Sequence, residues 1–274
     1  MNPSRVCGNA LLIAYSLVKQ SGFLGTALGR RLFRSTYFAY KRLVEDNLAD
    51  LLLAFPDLVA GGDVLDIGAN LGYTAAVLAR ATLPDALIYA FEPEPSNFRI
   101  LEQTARRPAF QGKIIPLQLA VGAEEGTADL WINERHHADH RVVTEKSRPS
   151  HPGATHVSVS LTSIDSFLAT KPRNICFAKI DVQGYELAVC RGMRNTLLQN
   201  PDLSVVLEFM PSAMRNLGFE PQELIDFFCK QGFSVYQVHA HGKLSPGIPP
   251  TIKDADYIDL VFTRRSIKNN RKLH

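Results

Sequence analysis

The sequence predicts an α/β fold, a mostly parallel sheet wound with helices on both faces. Short apolar runs alternate with helical patterns of period near 3.6 over most of the chain, the imprint of parallel strands joined by crossover helices. The first of these strands runs into a turn bearing two glycines and then a helix, the connection at which α/β sheets bind ligands. The composition agrees, since 274 residues with 46% hydrophobic and 21% charged describe a globular domain rather than a disordered, collagen-like or membrane-embedded one.

Residues 1–34 form an N-terminal extension, helical or poorly ordered. Its apolar run Ala10–Val18 follows a single Arg5 and resembles the start of a signal peptide. It has about half the roughly 20 residues needed to span a bilayer, and no small-x-small cleavage site precedes Arg30-Arg31. A helix packed on the main domain is expected, with peripheral membrane contact as the alternative.

The main domain is placed at residues 35–264. A helix carrying Tyr37, Tyr40, Leu43, Val44, Leu48, Leu51 and Leu52 stops before Pro56. Strand Val64–Ile67, helix Thr74–Arg80, strand Leu87–Phe91, helix Ser96–Arg106 and strand Ile114–Val121 follow. Thr127–Ile132 and Val157–Leu161 read as strands flanking Asn133–His156, a polar, His-rich segment (133–156) read as an inserted loop or lid, because structureless loops of that length usually serve function. Alternation resumes with strand Ile175–Asp181, helix Glu186–Leu198, strand Ser204–Phe209, helix Pro221–Gln231 and strand Phe233–Val238. After a Pro- and Gly-containing connection, His239–Ala255, strand Tyr257–Thr263 closes the domain, and residues 265–274 form a basic tail read as a solvated terminus.

Thirty Lys+Arg against 27 Asp+Glu leave a formal charge of +3, too small a surplus to predict a nucleic-acid partner. Cys7, Cys176, Cys190 and Cys229 contain no C-x-x-C pair. Neither a disulfide framework nor a zinc ribbon is encoded, and reduced thiols in a cytoplasmic protein are expected.

The turn Val64-Leu-Asp-Ile-Gly-Ala-Asn-Leu-Gly-Tyr-Thr74 is the most informative stretch. Gly68 lets a ligand approach the main chain, and Gly72 permits close contact of turn and helix. A nicotinamide-type G-x-G-x-x-G needs glycine at 68, 70 and 73, where the chain has Gly68, Asn70 and Tyr73. Asp66 would also repel a pyrophosphate, whereas it suits a ligand bearing an amino group or sulfonium. The pattern D-x-G-x-G-x-G of S-adenosylmethionine (SAM) enzymes is met at Asp66, Gly68 and Gly72, with Asn70 in the middle position. A tight strand-to-helix connection without a ligand is the competing reading. Glu92 ends the next strand, 20 residues beyond Gly72, a spacing that suits a carboxylate accepting both ribose hydroxyls of an adenosine ligand.

DIGANLGYT, YAFEPEPSNFRIL, LAVGAEEGTADLW and KIDVQGYELAVCRGM occur in this order over roughly residues 36 to 210, and the chain thereby resembles the FkbM-like family of SAM-dependent methyltransferases. The resemblance implies a Rossmann-like class I methyltransferase fold, with seven strands of which the last is antiparallel. It implies SAM as cofactor and O-methylation of a hydroxyl on a sugar, glycolipid or secondary metabolite, so that the partner is a small-molecule or glycan acceptor. It further implies that Asp66, Gly68, Asn70 and Gly72 form the SAM turn, that Glu92 holds the ribose, that Ala120 and Val121 border the adenine, and that Asp181 faces the sulfonium and the acceptor hydroxyl. One departure stands out: the family pattern K-I-D-x-E-G-x-E has glutamate where this chain has Gln183, while Lys179, Asp181, Gly184 and Glu186 match. The charge is lost and hydrogen bonding remains.

Methyl transfer to an alcohol asks the protein to position the oxygen, exclude water and take up a proton. Asp181, at a carboxyl strand end, is the candidate general base; a helix cap is its alternative role. Gln183 and Glu208 are candidates for the acceptor pocket. His136, His137 and His140 include an i, i+4 pair, but no cysteine or acidic ligand follows at metal spacing, and a solvated loop without metal is expected. His239 and His241 end a predicted strand near the edge of the site or beyond it, and a catalytic role is not expected for them. A noncatalytic SAM-binding or partner-binding module is the alternative to an enzyme, whereas an NAD-dependent oxidoreductase is disfavoured by Asp66 and the missing glycines.

Overall fold

The computed structural model describes residues 38, 47–132, 140–147, 155–249 and 257–267. Helix α1 (Asn47–Ala54) and a 3-10 turn (Pro56–Val59) precede strand β1 (Asp63–Ile67), which is followed by α2 (Tyr73–Ala81), β2 (Ile88–Phe91), α3 (Pro95–Ala105) and β3 (Ile114–Leu117). The chain then forms β4 (Ala120–Val121), β5 (Gly126–Trp131), β6 (Arg141–Val142) and β7 (His156–Thr162). Next come α4 (Ile164–Thr170), β8 (Ile175–Ile180), α5 (Glu186–Arg191), α6 (Arg194–Gln199) and β9 (Ser204–Phe209). Helices α7 (Pro211–Leu217) and α8 (Pro221–Cys229) and strands β10 (Ser234–Val238), β11 (Leu244–Pro246) and β12 (Ile258–Thr263) complete the domain.

The main sheet has the order β11-β10-β12-β9-β8-β1-β2-β3. Its core is parallel, β1 pairing with β2 and β8, β2 with β3, and β8 with β9. The last strand, β12, inserts antiparallel between β9 and β10. This is the arrangement implied by the resemblance, with one correction: among the described residues the sheet has eight strands, not seven. The extra edge strand β11 pairs antiparallel with β10 through only three residues, too short to leave an alternation inside its Pro- and Gly-containing connection.

Side-chain alternation divides the interior between the two faces of the sheet. Leu65 and Ile67 of β1, Phe91 of β2, Leu207 of β9 and Phe262 of β12 enter one apolar cluster. Val64, Ile88, Ala90, Val206 and Val261 enter the other. A sheet covered on both faces requires near-continuous apolar strands, which is why DVLDI is buried throughout. Each fully buried Leu, Ile, Val or Phe contributes roughly 1.5–3 kcal/mol. Proline opens α3, α7 and α8, where its missing N–H costs nothing and its fixed φ favours the first turn.

Two predicted elements are split. Residues 114–121 divide at Leu117, because β3 is an edge strand that carries Pro116, and the chain leaves it to build a second sheet of order β4-β7-β5-β6. The predicted helix Glu186–Leu198 breaks at Gly192, where a Cβ would overlap the Gly122 carbonyl beyond β4.

Within 133–156, Arg141–Val142 pairs with Leu130 and Trp131 as β6, and the Thr144 hydroxyl donates to the Leu217 carbonyl at the end of α7 (3.1 Å). Residues 133–139 and 148–154, the extension 1–34 and residues 268–274 lie outside the described residues, and with them His136 and His137. Arg265 donates to the carbonyls of Asp57, Ala60 and Asp202. Among the described residues no helix is long and apolar enough to cross a membrane.

Candidate active site

The glycine turn is shaped by what crosses it. The N–H groups of Gly68 and Ala69 both donate to the Phe91 carbonyl (3.0 and 2.9 Å), tying the turn to the end of β2. Gly68 has φ of 83°, and a Cβ there would overlap the backbone carbonyl oxygen of Asp181. The β1 turn and the end of β8 therefore touch through main chain alone. Helix α3 closes in behind Gly72, whose added Cβ would lie 2.8 Å from Leu101 Cδ1, and the Thr104 hydroxyl donates to the Leu71 carbonyl (3.1 Å). Asn70 has φ of 50°. Its position demands the left-handed conformation that glycine accepts freely and asparagine tolerates best among other residues, which accounts for Asn70 in the middle of the glycine pattern.

Glu92 reaches back into this turn. Its carboxyl oxygens accept from the backbone N–H groups of Asn70 (2.8 Å) and Glu94 (2.9 Å), so Glu92 braces the turn as well as facing it. A carboxylate has about four lone-pair sites, and two remain. Burial pushes Glu92 from its ordinary 4.5 up to about 8, against the lowering effect of those two N–H donors. Asp66 is 1% exposed and takes a hydrogen bond from the Ala75 backbone in the first turn of α2, a favourable place for a carboxylate. Burial raises it to about 7, with Lys179 opposing and Asp181 reinforcing.

The end of β8 brings together a second group. The Gln183 side-chain amide donates to Asp181 Oδ1 (2.8 Å) and to Glu208 Oε2 at the end of β9 (3.1 Å). Glu186 Oε1 accepts from the N–H groups of Val182 (3.2 Å) and Gly184 (3.1 Å), so it holds the turn carrying Asp181. Burial lifts Glu186 to about 7 and Glu208 to about 8, with Asp181 adding to both. Lys179 is buried, yet its pKa is raised: desolvation would lower it, and Asp181, Asp259, Glu208 and Asp66 outweigh that effect.

These shifts have one sign. A buried acid whose folded pKa lies above its unfolded value stabilises the fold below the unfolded pKa, and that contribution is lost as pH rises through the folded pKa. For Asp66, Glu186, Glu92 and Glu208 the window runs from about 4 to about 8. The urea midpoint of the ligand-free chain is accordingly expected to fall steadily from pH 5 to pH 8; a flat or rising midpoint would contradict these assignments.

Of the predicted site residues, the structure joins Asp66, Gly68, Asn70, Gly72, Glu92 and Asp181 in one region, with the Gln183 amide donating to both Asp181 and Glu208. Ala120 and Val121 are buried in β4 just after the end of β3. His239 hydrogen-bonds Ser245 (2.7 Å) and His241 faces Asp50 of α1 (3.6 Å). Among the described residues no group of His, Cys, Asp and Glu side chains could hold a metal ion. Asp259 was not singled out by sequence: it meets Glu208 only through the antiparallel register of β12 on β9.

Three buried side-chain oxygens among the described residues lack a hydrogen-bond partner, Asp66 Oδ2, Asn70 Oδ1 and Glu186 Oε2, and all three belong to these two turns. Buried acceptors without donors are costly. Their chemistry fits a ligand that brings hydroxyl, amino or cationic groups and conflicts with one that brings phosphates.

The Methyltransferase FkbM domain matches residues 66–235, from Asp66 to the start of β10. The chain belongs to the FkbM methyltransferase family. It is thereby a SAM-dependent methyltransferase, and the turn and acids described above lie inside the matched span. Hexuronic acid methyltransferase AglP of Haloferax volcanii is 28% identical over 203 residues, which cover 72% of this chain and 69% of AglP. Methyltransferase sdnD of Sordaria araneosa is 24% identical over 217 residues, 67% of this chain and 82% of that protein. Among solved structures, SAM-bound fibrillarin of Aeropyrum pernix is 15% identical with a TM-score of 0.43, covering 79% of this FkbM methyltransferase and 74% of the fibrillarin. The family assignment rests on the sequence match.

Proposed function

We propose that this FkbM methyltransferase methylates a hydroxyl oxygen of a sugar or glycan, with Asp66, Gly68, Asn70, Gly72 and Glu92 holding SAM, Ala120 and Val121 bordering its adenine, and Asp181 acting as general base. When bound, SAM supplies an electrophilic methyl group on a sulfonium. The observation that carries the reading is the set of unpartnered buried oxygens at the turns of β1 and β8, where Gly68 packs against the Asp181 backbone. The two free lone pairs of Glu92 would accept the ribose hydroxyls, and Asp66 Oδ2 and Asn70 Oδ1 would accept from donor groups of the cofactor. The Asp181 carboxylate would accept the proton that the acceptor hydroxyl loses as its oxygen forms the new C–O bond. Glu208 and Gln183 would line the acceptor side, and residues 140–147, tied to α7 by the Thr144 hydroxyl donating to the Leu217 carbonyl, would flank it. The sugar class is supported by the likeness to AglP, which is a hexuronic acid methyltransferase.

Transfer of labelled methyl from SAM to a panel of glycosides, including methyl glycosides of hexuronic acids, tests this. Product with a new methyl ether is expected, and SAM binding without turnover on any hydroxyl compound would favour a noncatalytic binding module. Glu92→Gln retains the shape, but its amide can accept from only one of the two N–H groups. It is expected to weaken SAM binding by roughly 10- to 100-fold, matching about 1.5–3 kcal/mol for hydrogen bonds to a charged group; unchanged affinity by calorimetry would remove the ribose role.

A further inference from the structure

We propose that Gln183 is a positioning residue for the transfer: its amide donates one hydrogen to Asp181 and the other to Glu208, fixing the Asp181 carboxyl at the acceptor end of the sheet while keeping a further negative charge out of the cluster. The inference rests on the reading of Asp181 as the base.

Only a group with two hydrogens on one atom can bridge two carboxyl oxygens in this way, and the distances of 2.8 and 3.1 Å are those of two real hydrogen bonds. The opposite amide orientation would set a carbonyl against two carboxyl oxygens, so the chemistry selects the assignment. The backbone says the same. Gln183 has φ of 55°, a conformation that glycine or asparagine would adopt at lower cost. The turn is already held by the two hydrogen bonds to Glu186, and it is seated where a Cβ on Gly184 would come within 2.7 Å of the Ala213 backbone. The backbone therefore gives no reason for glutamine, whereas the long side chain with a terminal amide does.

A glutamate at 183, as in the family pattern, would be acceptor-only when ionised and would face two further acceptors. The charged groups around it come from every neighbouring element: Lys179 and Asp181 with β8, Asp66 in β1, Glu208 in β9, Asp259 in β12 and Glu186 in α5. One ammonium already serves several acids. Burial, then Asp181, push Glu208 up to about 8, with Lys179 opposing, so Glu208 responds to any charge added beside it.

The test compares the full-length wild type with Q183E, Q183N and Q183M, each checked for a native melting transition. The asparagine introduced by Q183N suits the left-handed backbone but is one methylene too short to span both acids. The first readout uses the protein without SAM or acceptor: carbon-13 NMR titration of the Glu208 carboxyl, assigned with E208Q. Q183E is expected to move the Glu208 midpoint upward by roughly one pH unit or more, and Q183N and Q183M by less. The second readout is the pH profile of methyl transfer to a methyl glycoside of a hexuronic acid, whose acidic limb is expected to move upward in Q183E. A Glu208 midpoint unmoved in all three variants would overturn the inference while leaving the transfer reading intact. A moved midpoint with an unmoved pH profile would overturn the positioning role. A moved midpoint with no transfer by the wild type would keep the bridge and remove Asp181 as base.

Discussion

Asp181→Asn is expected to lower the rate of methyl transfer by roughly 10²- to 10⁴-fold, the range over which a positioned general base contributes, while changing SAM affinity by less than about threefold. The separation follows from the geometry. The side chain of Asp181 is engaged with Gln183 (2.8 Å), whereas its main chain meets the β1 turn at Gly68, so an amide replacement leaves that turn untouched. It also sets the new side chain against the Gln183 amide, which is satisfied if the asparagine presents its oxygen. Single-turnover kinetics with saturating SAM and acceptor separate the two effects. A rate within threefold of wild type would end the catalytic assignment and leave Asp181 as the orienting end of a strand.

Gly68→Ala is expected to destabilise the fold by at least about 3 kcal/mol and to abolish SAM binding in any folded fraction. Two costs combine. A non-glycine residue held at φ of 83° costs of order 1–3 kcal/mol. The added Cβ would also overlap the Asp181 carbonyl oxygen, and relieving that overlap would part the β1 turn from β8 or break the hydrogen bonds of Gly68 and Ala69 to Phe91. Urea unfolding gives the loss directly. A midpoint equal to wild type with intact SAM binding would show that the two turns do not meet as described.

How much of this was legible in the sequence depended on the range of the interaction that decides each feature. The strands β1, β2, β8, β9 and β12 declared themselves through apolar runs, because a sheet covered on both faces must be apolar along its strands. The turn at Asp66, Gly68 and Gly72 and the acid Glu92 were readable for a local reason, since residue type and spacing fix what a strand-to-helix turn can hold. Helices α4 and α7 escaped: each has seven residues, barely two turns, and periodicity needs more. Their signals were Ser163 as a cap that accepts from the Ser166 N–H and Pro211 in the first turn. The break at Gly192 and the pairing of Asp259 with Glu208 arise from contacts between distant segments, which no local pattern announces. Gln183 was visible as a departure from a motif, but its bridge to Glu208 spans 25 positions and needed the register of β8 against β9.

The central claim is that the turns of β1 and β8 form a SAM site in which burial holds Asp66, Glu92 and Glu186 above the ordinary carboxyl range. It is tested most directly by calorimetric titration of the full-length chain with SAM, its demethylated product and NAD at pH 7, repeated in buffers of different ionisation enthalpy. Glu92 is pushed to about 8 by burial, and ribose hydroxyls donating to it favour its ionised form. SAM and its product are therefore expected to bind with release of protons to the buffer, and NAD is expected to give no heat of binding. Silence for SAM and its product in a folded sample, or binding of NAD in their place, would contradict the account.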